Sequence, residues 1–129
     1  MQTIEHTFRV MTYDIDFAGI VSNISYVRWL EDLRNLFAEQ ALSIGDAFQR
    51  GIAPALMHTE IDYLSPVRFP DLVTGRMWMA EHGRSKWELA AEFQSQTTGL
   101  VVARARQTGV FISLNTLRPV RLPEEYRTP

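Results

Sequence analysis

The chain has 129 residues, a formal charge of −2, 46% hydrophobic and 22% charged residues. This is enough chain for one packed domain and is not the composition of a disordered segment. The absence of cysteine excludes disulfides, thiolate metal sites and a cysteine nucleophile, and near-neutral charge gives no drive toward nucleic acid or an anionic membrane.

The three histidines, His6, His58 and His82, are scattered, so no histidine-rich metal centre is expected and no cofactor is called for. The opening MQTIEHTFRV alternates in polarity, which does not resemble a signal peptide. No stretch approaches the ~20 apolar residues of a membrane helix. A cytoplasmic protein without membrane or nucleic-acid partners is the expectation.

Residues 4–12 place Ile4, His6, Phe8, Val10 and Thr12 on one face, the alternation of a strand. A loop follows, with Asp14, Asp16 and Gly19. Tyr26, Val27, Leu30, Leu33, Leu36, Phe37 and Ala41 then recur at helical spacing, with Trp29 widening the stripe, so a long helix is predicted from Asn23 to about Ile44. Asn23 and Ser25 are candidate N-caps and Gly45 a candidate stop, with one further turn over residues 46–50. Strands are predicted over 54–64, 72–81, 85–94 and 100–114, the last three separated by turns at His82-Gly83 and Thr97-Thr98-Gly99. Residues 118–123, rich in Pro and Arg, are expected to be an extended tail. Glu88 and Glu92 should pair with Arg104 and Arg106 across strands. His58, Glu60 and Asp62 share one strand face and read as solvated or interface residues.

One long helix against a five-stranded antiparallel sheet gives an α+β class, with residues 1–129 as one domain. The strands are long for so small a chain and leave sheet edges to be covered, which favours a homodimer or homotetramer.

The stretch Asp16-Phe-Ala-Gly-Ile-Val-Ser-Asn-Ile-Ser-Tyr26 places an acid and a glycine in a loop just before a buried helix. A helix start offers unpaired N–H groups that polarise a carbonyl oxygen, and an upstream carboxylate can serve as nucleophile or general base. The same residues also fit ordinary turn and capping roles, and spacing alone leaves both open. Asp14 is a second candidate carboxylate.

The pattern Asp16, Gly19, Val21, Tyr26 and Glu31 resembles the hotdog-fold acyl-CoA thioesterases, of the 4-hydroxybenzoyl-CoA thioesterase type. The stretch Tyr63-Leu-Ser-Pro-Val-Arg-Phe-Pro-Asp71, then Glu81-His-Gly-Arg-Ser-Lys-Trp87, then Arg118 to Tyr126 extend the resemblance over nearly the whole chain. It implies a hotdog fold and hydrolysis of an acyl-CoA thioester, with Asp16 as the catalytic carboxylate and the Asn23 backbone N–H polarising the carbonyl. Gly19, Val21 and Tyr26 would lie beside the acyl group. The pantetheine arm would run between two subunits, with Arg84, Ser85 and Lys86 near the nucleotide phosphates. Asn23 stands where some relatives carry an aromatic pocket residue, a departure that separates thioester hydrolysis from 4-hydroxybenzoyl specificity. The alternative is a non-catalytic module binding acyl-CoA or acyl-carrier protein. A hotdog dehydratase would want a histidine near Asp16, and none is there.

Overall fold

The computed structural model describes residues 2–127. Strand β1 (Ile4–Arg9) leads through a single 3-10 turn (Thr12–Asp14) and a loop to helix α1 (Asn23–Glu39). Helix α2 (Ile44–Gln49) follows, then β2 (Ile52–Tyr63), β3 (Leu72–His82), β4 (Lys86–Ser95), β5 (Val101–Ser113), β6 (Pro119–Val120) and helix α3 (Glu124–Arg127). The sheet is antiparallel, in the order β1-β3-β4-β5-β2, and α1 packs against it. The α+β class and the sheet-wrapped helix match the sequence expectation.

Several boundaries differ, for identifiable reasons. Helix α1 ends at Glu39 with Gln40 as its C-cap, not near Ile44. Ser43 then caps α2, its Oγ accepting from the Asp46 N–H at 3.1 Å, so Gly45 lies inside a second helix and is not a stop. The N-cap of α1 is Ser22, whose hydroxyl accepts from the Ser25 N–H; Asn23 and Ser25 are already helical. Strand β1 stops at Arg9 because the next turn closes on the Asp14 carboxylate, which accepts from the Met11 N–H at 2.8 Å. The tail is not wholly irregular. Pro119 and Val120 pair with Ile112 and Phe111, extending the sheet beyond the start of β4, and Glu124–Arg127 forms a helical turn. The four later strands are not all sequential neighbours: β2 pairs with β5 at the far edge, and residues 64–71 cross over to β3.

The inner sheet face and α1 form the core. Tyr26, Trp29, Leu30, Leu33 and Phe37 are buried against Val73, Met77, Leu89, Phe93, Ala103 and Phe111. Val27 and Leu36, expected in the stripe, are exposed; at 100° per residue Val27 lies about 100° round from the buried axis. Gly75 on β3 admits this packing, since a Cβ there would stand 2.8 Å from the Phe8 ring and 3.2 Å from Leu33.

The outer face is polar. Register places Glu5, Arg76, Glu92, Arg104 and Asp62 in one row across the five long strands, alternating in sign. Arg104 reaches Glu92 at 3.3 Å, and Arg106 reaches Glu88 at 2.9 Å, the cross-strand pairs expected from sequence. Among the described residues no group of His, Asp or Glu could hold a metal ion, and no helix is long and apolar enough to cross a membrane.

Candidate active site at the start of the long helix

The loop before α1 is a small hairpin. Ile15 bridges Val21, the Asp16 N–H donates to Ile20 O at 2.9 Å, and the Gly19 N–H donates to Asp16 O at 3.0 Å. Gly19 takes a φ of +76°, which explains a glycine at the turn's end. The Asp16 carboxylate is exposed, and its Oδ1 accepts from the N–H of Ala18 at 2.9 Å and, at 3.4 Å, of Ile20. Among the described residues Oδ2 has no hydrogen bond. Asp16 therefore closes its own turn through one oxygen and presents the other outward.

The crossover 64–71 holds the hairpin in place. Val21 N–H donates to Val67 O at 2.9 Å, and Phe69 N–H donates to Gly19 O at 3.0 Å. Asp14 does the rest of the anchoring. It is 3% exposed, its Oδ1 accepts from Ser25 Oγ at 3.0 Å, and its backbone O accepts from the Ser22 N–H at 2.8 Å. Of the two loop acids, Asp14 is thus built into the framework under the helix start, and Asp16 is the one left accessible.

Between the helix start and the crossover lies a cavity of about 240 Å³, lined by Ile20, Val21, Asn23, Tyr26, Tyr63 and residues 64–67. Asn23 is the first residue of α1, and its N–H has no hydrogen bond among the described residues, as geometry requires at a helix N-terminus. An acceptor oxygen placed against the start of α1 would meet that N–H and the positive end of the helix dipole. Tyr26 packs edge-on to Tyr63 at 5.5 Å, to Trp29 at 5.2 Å and to Phe93 at 5.3 Å, which fixes the apolar wall. Burial, with smaller contributions from the charges of Tyr63 and Asp71, pushes the Tyr26 phenol up to about 12, so it stays neutral through the physiological range.

The structure thus gathers Val21, Asn23 and Tyr26 in one cavity, with Gly19 and Asp16 in the adjoining hairpin outside the lining. Arg84, Ser85 and Lys86 are not brought to it. They form the β3–β4 turn, where Gly83 N–H donates to Lys86 O, and Lys86 lies seven residues, about 23 Å, along β4 from Phe93. Sequence reading missed the wall formed by Tyr63 and the crossover. The signal was there in Tyr63-Leu-Ser-Pro, a strand end followed by a chain-turning proline, but only the fold shows what lies opposite.

Comparison with known proteins decides the family: residues 10–128 match the model of the thioesterase-like superfamily. The chain belongs to that superfamily. Membership makes it a thioester hydrolase by class. Solved structures share the fold. The DHNA-CoA thioesterase of Staphylococcus aureus superposes with a TM-score of 0.89 at 18% identity, over 98% of this chain and 90% of that one. The 1,4-dihydroxy-2-naphthoyl-CoA thioesterase of Synechocystis gives 0.89 at 21%, over 98% and 94%. A Staphylococcus aureus protein solved in complex with CoA gives 0.91 at 19%, over 98% and 80%. A search of curated proteins returned no significant match.

Proposed function

We propose that the chain hydrolyses an acyl-CoA thioester at the start of α1. The observation that carries this reading is that Asn23, whose N–H has no hydrogen bond among the described residues, lines a mostly apolar cavity one short hairpin from an accessible carboxylate. The thioester oxygen would accept from the Asn23 N–H, which stabilises the charge that develops on it. The Asp16 carboxylate would either attack the carbonyl carbon or take a proton from an attacking water. The C–S bond then breaks and CoA leaves as thiolate, a good leaving group that needs no metal; in the first route the acyl group is left on Asp16 as an anhydride, which water cleaves to release the acid and restore the carboxylate. Val21 and Tyr26 supply the apolar wall, and Gly19 keeps the hairpin slim. That two structural neighbours act on aryl-CoA esters, and that a third binds CoA, supports a CoA ester as substrate.

The reading includes a homodimer, or a tetramer built from it. Strand β2 is a sheet edge of 12 residues, with Leu56 and Met57 exposed on it. Register sets Lys86 level with Val110 and Ala55, and Phe93 level with Ala103 and Tyr63. Pairing two β2 edges about a two-fold axis near Thr59 would exchange those levels. The partner's Arg84-Ser-Lys turn would then come beside the cavity from which its own chain keeps it away, in position for the CoA phosphates.

Purified chain incubated with aryl-, short- and long-chain acyl-CoAs, with free-thiol release followed, tests the proposal. Turnover of at least one ester supports it. Tight CoA-ester binding with no thiol release would leave the non-catalytic module, a reading consistent with the turn-closing bonds of Asp16.

A further inference from the structure

A second cavity, of about 250 Å³, lies further along α1, between that helix, α2 and the Trp87 end of the sheet. Its walls include Phe37, Leu89 and Phe111, and Glu31 and Asn35 stand exposed at its edge. Two donors in this apolar setting lack the partners such groups normally have. Trp87 is 4% exposed, and its indole Nε1–H has no hydrogen bond among the described residues. Arg34 is half-buried, and among the described residues its only hydrogen bond runs from Nη1 to the neutral Gln107 Oε1 at 2.6 Å. Burial holds the Arg34 pKa below the usual guanidinium value, opposed only by the charge of Glu31, which does not hydrogen-bond it. A desolvated guanidinium without a bonded carboxylate is uncommon, because desolvation is compensated only by close ionic pairing.

The two donors share one stretch of β5. Gln107, which holds Arg34, and Gly109, on which the Trp87 ring rests, are two residues apart on the inner face, about 7 Å along the strand. The Arg34 guanidinium and the Trp87 indole thus both border the cavity near this stretch of β5. Gln107 is itself fixed, its amide donating to Thr59 Oγ1 at 2.9 Å. A cavity of about 150 Å³ holds benzene, so this one has room for an aromatic ring or a medium-length chain.

We propose that this cavity binds an apolar monocarboxylic acid, its carboxylate held by Arg34 and its hydrocarbon against Phe37, Leu89, Phe111 and the Trp87 ring. The site is separate from the start of α1, and the proposal does not depend on thioester hydrolysis: a chain with no such activity would still bind the acid.

The test is calorimetric titration of the full chain with octanoate, benzoate and, as the uncharged control, octanol. The indole N–H signal of Trp87, assigned with Trp87→Phe, is followed by NMR. One octanoate or benzoate per chain is expected, with a displaced Trp87 signal and octanol at least about tenfold weaker. Gln107→Glu gives Arg34 an internal carboxylate partner without changing side-chain shape. It should weaken acid binding about tenfold or more and leave octanol binding unchanged. Arg34→Met should do the same. Because Gln107→Glu adds an ion pair and its second oxygen can accept from the Thr59 hydroxyl where the amide donated, it guards against a result due to unfolding alone. Equal binding of octanoate and octanol, acid binding indifferent to Gln107→Glu, or no acid binding up to about 10 mM, a free energy near −3 kcal/mol, would each overturn the proposal.

Discussion

Replacing Asp14 with Ala should damage the platform beneath the proposed site and not the chemistry directly. The side chain accepts two hydrogen bonds, from the Met11 N–H at 2.8 Å and Ser25 Oγ at 3.0 Å, in a position 3% exposed. Hydrogen bonds to a charged group contribute about 1.5–3 kcal/mol each. Ser25 Oγ can keep its second acceptor, the Asp14 backbone O at 3.1 Å, so only the Met11 N–H is left without a protein partner. The carboxylate's own desolvation cost is also relieved. The net loss should therefore fall at about 2–3 kcal/mol. For a chain of this length, about 3–6 °C of Tm per kcal/mol gives a decrease near 10 °C. Asp14→Asn, which retains one acceptor oxygen, should lose about half as much. Calorimetric melting of the three proteins under one set of conditions measures this. A Tm for Asp14→Ala within about 2 °C of wild type would refute the anchoring role, since surface substitutions typically change stability by no more than about 0.5 kcal/mol.

Arg84→Ala or Lys86→Ala should raise KM for a full CoA ester and leave kcat near wild type, because a phosphate contact far from the carbonyl serves ground and transition states alike; an unchanged KM would remove these residues from the site. Gly109→Ala should be among the most damaging single changes, at about 3 kcal/mol or more, since its Cβ would stand 2.3 Å from the Ala55 carbonyl oxygen and 2.2 Å from the Trp87 ring, and the backbone contact cannot be relieved by a rotamer; a melting temperature near wild type would contradict the packing. Stability should fall as pH rises from about 10 to about 12. Burial pushes Tyr26 and Tyr126 up to about 12, with the charge of Glu125 adding for Tyr126, so folding favours the neutral phenols and that contribution is lost as they ionise. Denaturant melts across that range, with Tyr26→Phe flattening the slope, check it.

Which parts of this were legible in the sequence depends on how local their causes are. The strong alternation of residues 85–94 and the helical stripe through Tyr26, Leu30, Leu33 and Phe37 are local patterns, and both elements were found. The start of α1 was read correctly at Asn23, but its cap was sought at Asn23 or Ser25 because Ser22, Asn23 and Ser25 all have capping side chains, and only backbone conformation selects Ser22. Its end was overrun because α2 continues the apolar pattern after a short break. The placement of β2 beside β5 is a long-range pairing that no local pattern announces. In the site, Asp16, Gly19 and Asn23 were found as a cluster, yet the division of labour between Asp14 and Asp16 rests on which one the Ser25 hydroxyl reaches. Arg34 and Gln107 went unnoticed because they are 73 positions apart and meet only in the fold.

The turnover of Asp16→Asn on the best acyl-CoA substrate, with its melting temperature, tests the proposed chemistry most directly. The amide oxygen can still accept from the Ala18 N–H, so the hairpin should hold and Tm should stay within about 2 °C, the range of a tolerated surface change. The amide can neither attack a carbonyl nor take up a proton, so kcat should fall by about 10²–10⁴-fold, while the CoA ester still binds. Near-normal kcat in a folded Asp16→Asn protein would contradict the assignment, and loss of activity in step with loss of folding would reduce Asp16 to the residue that closes its turn.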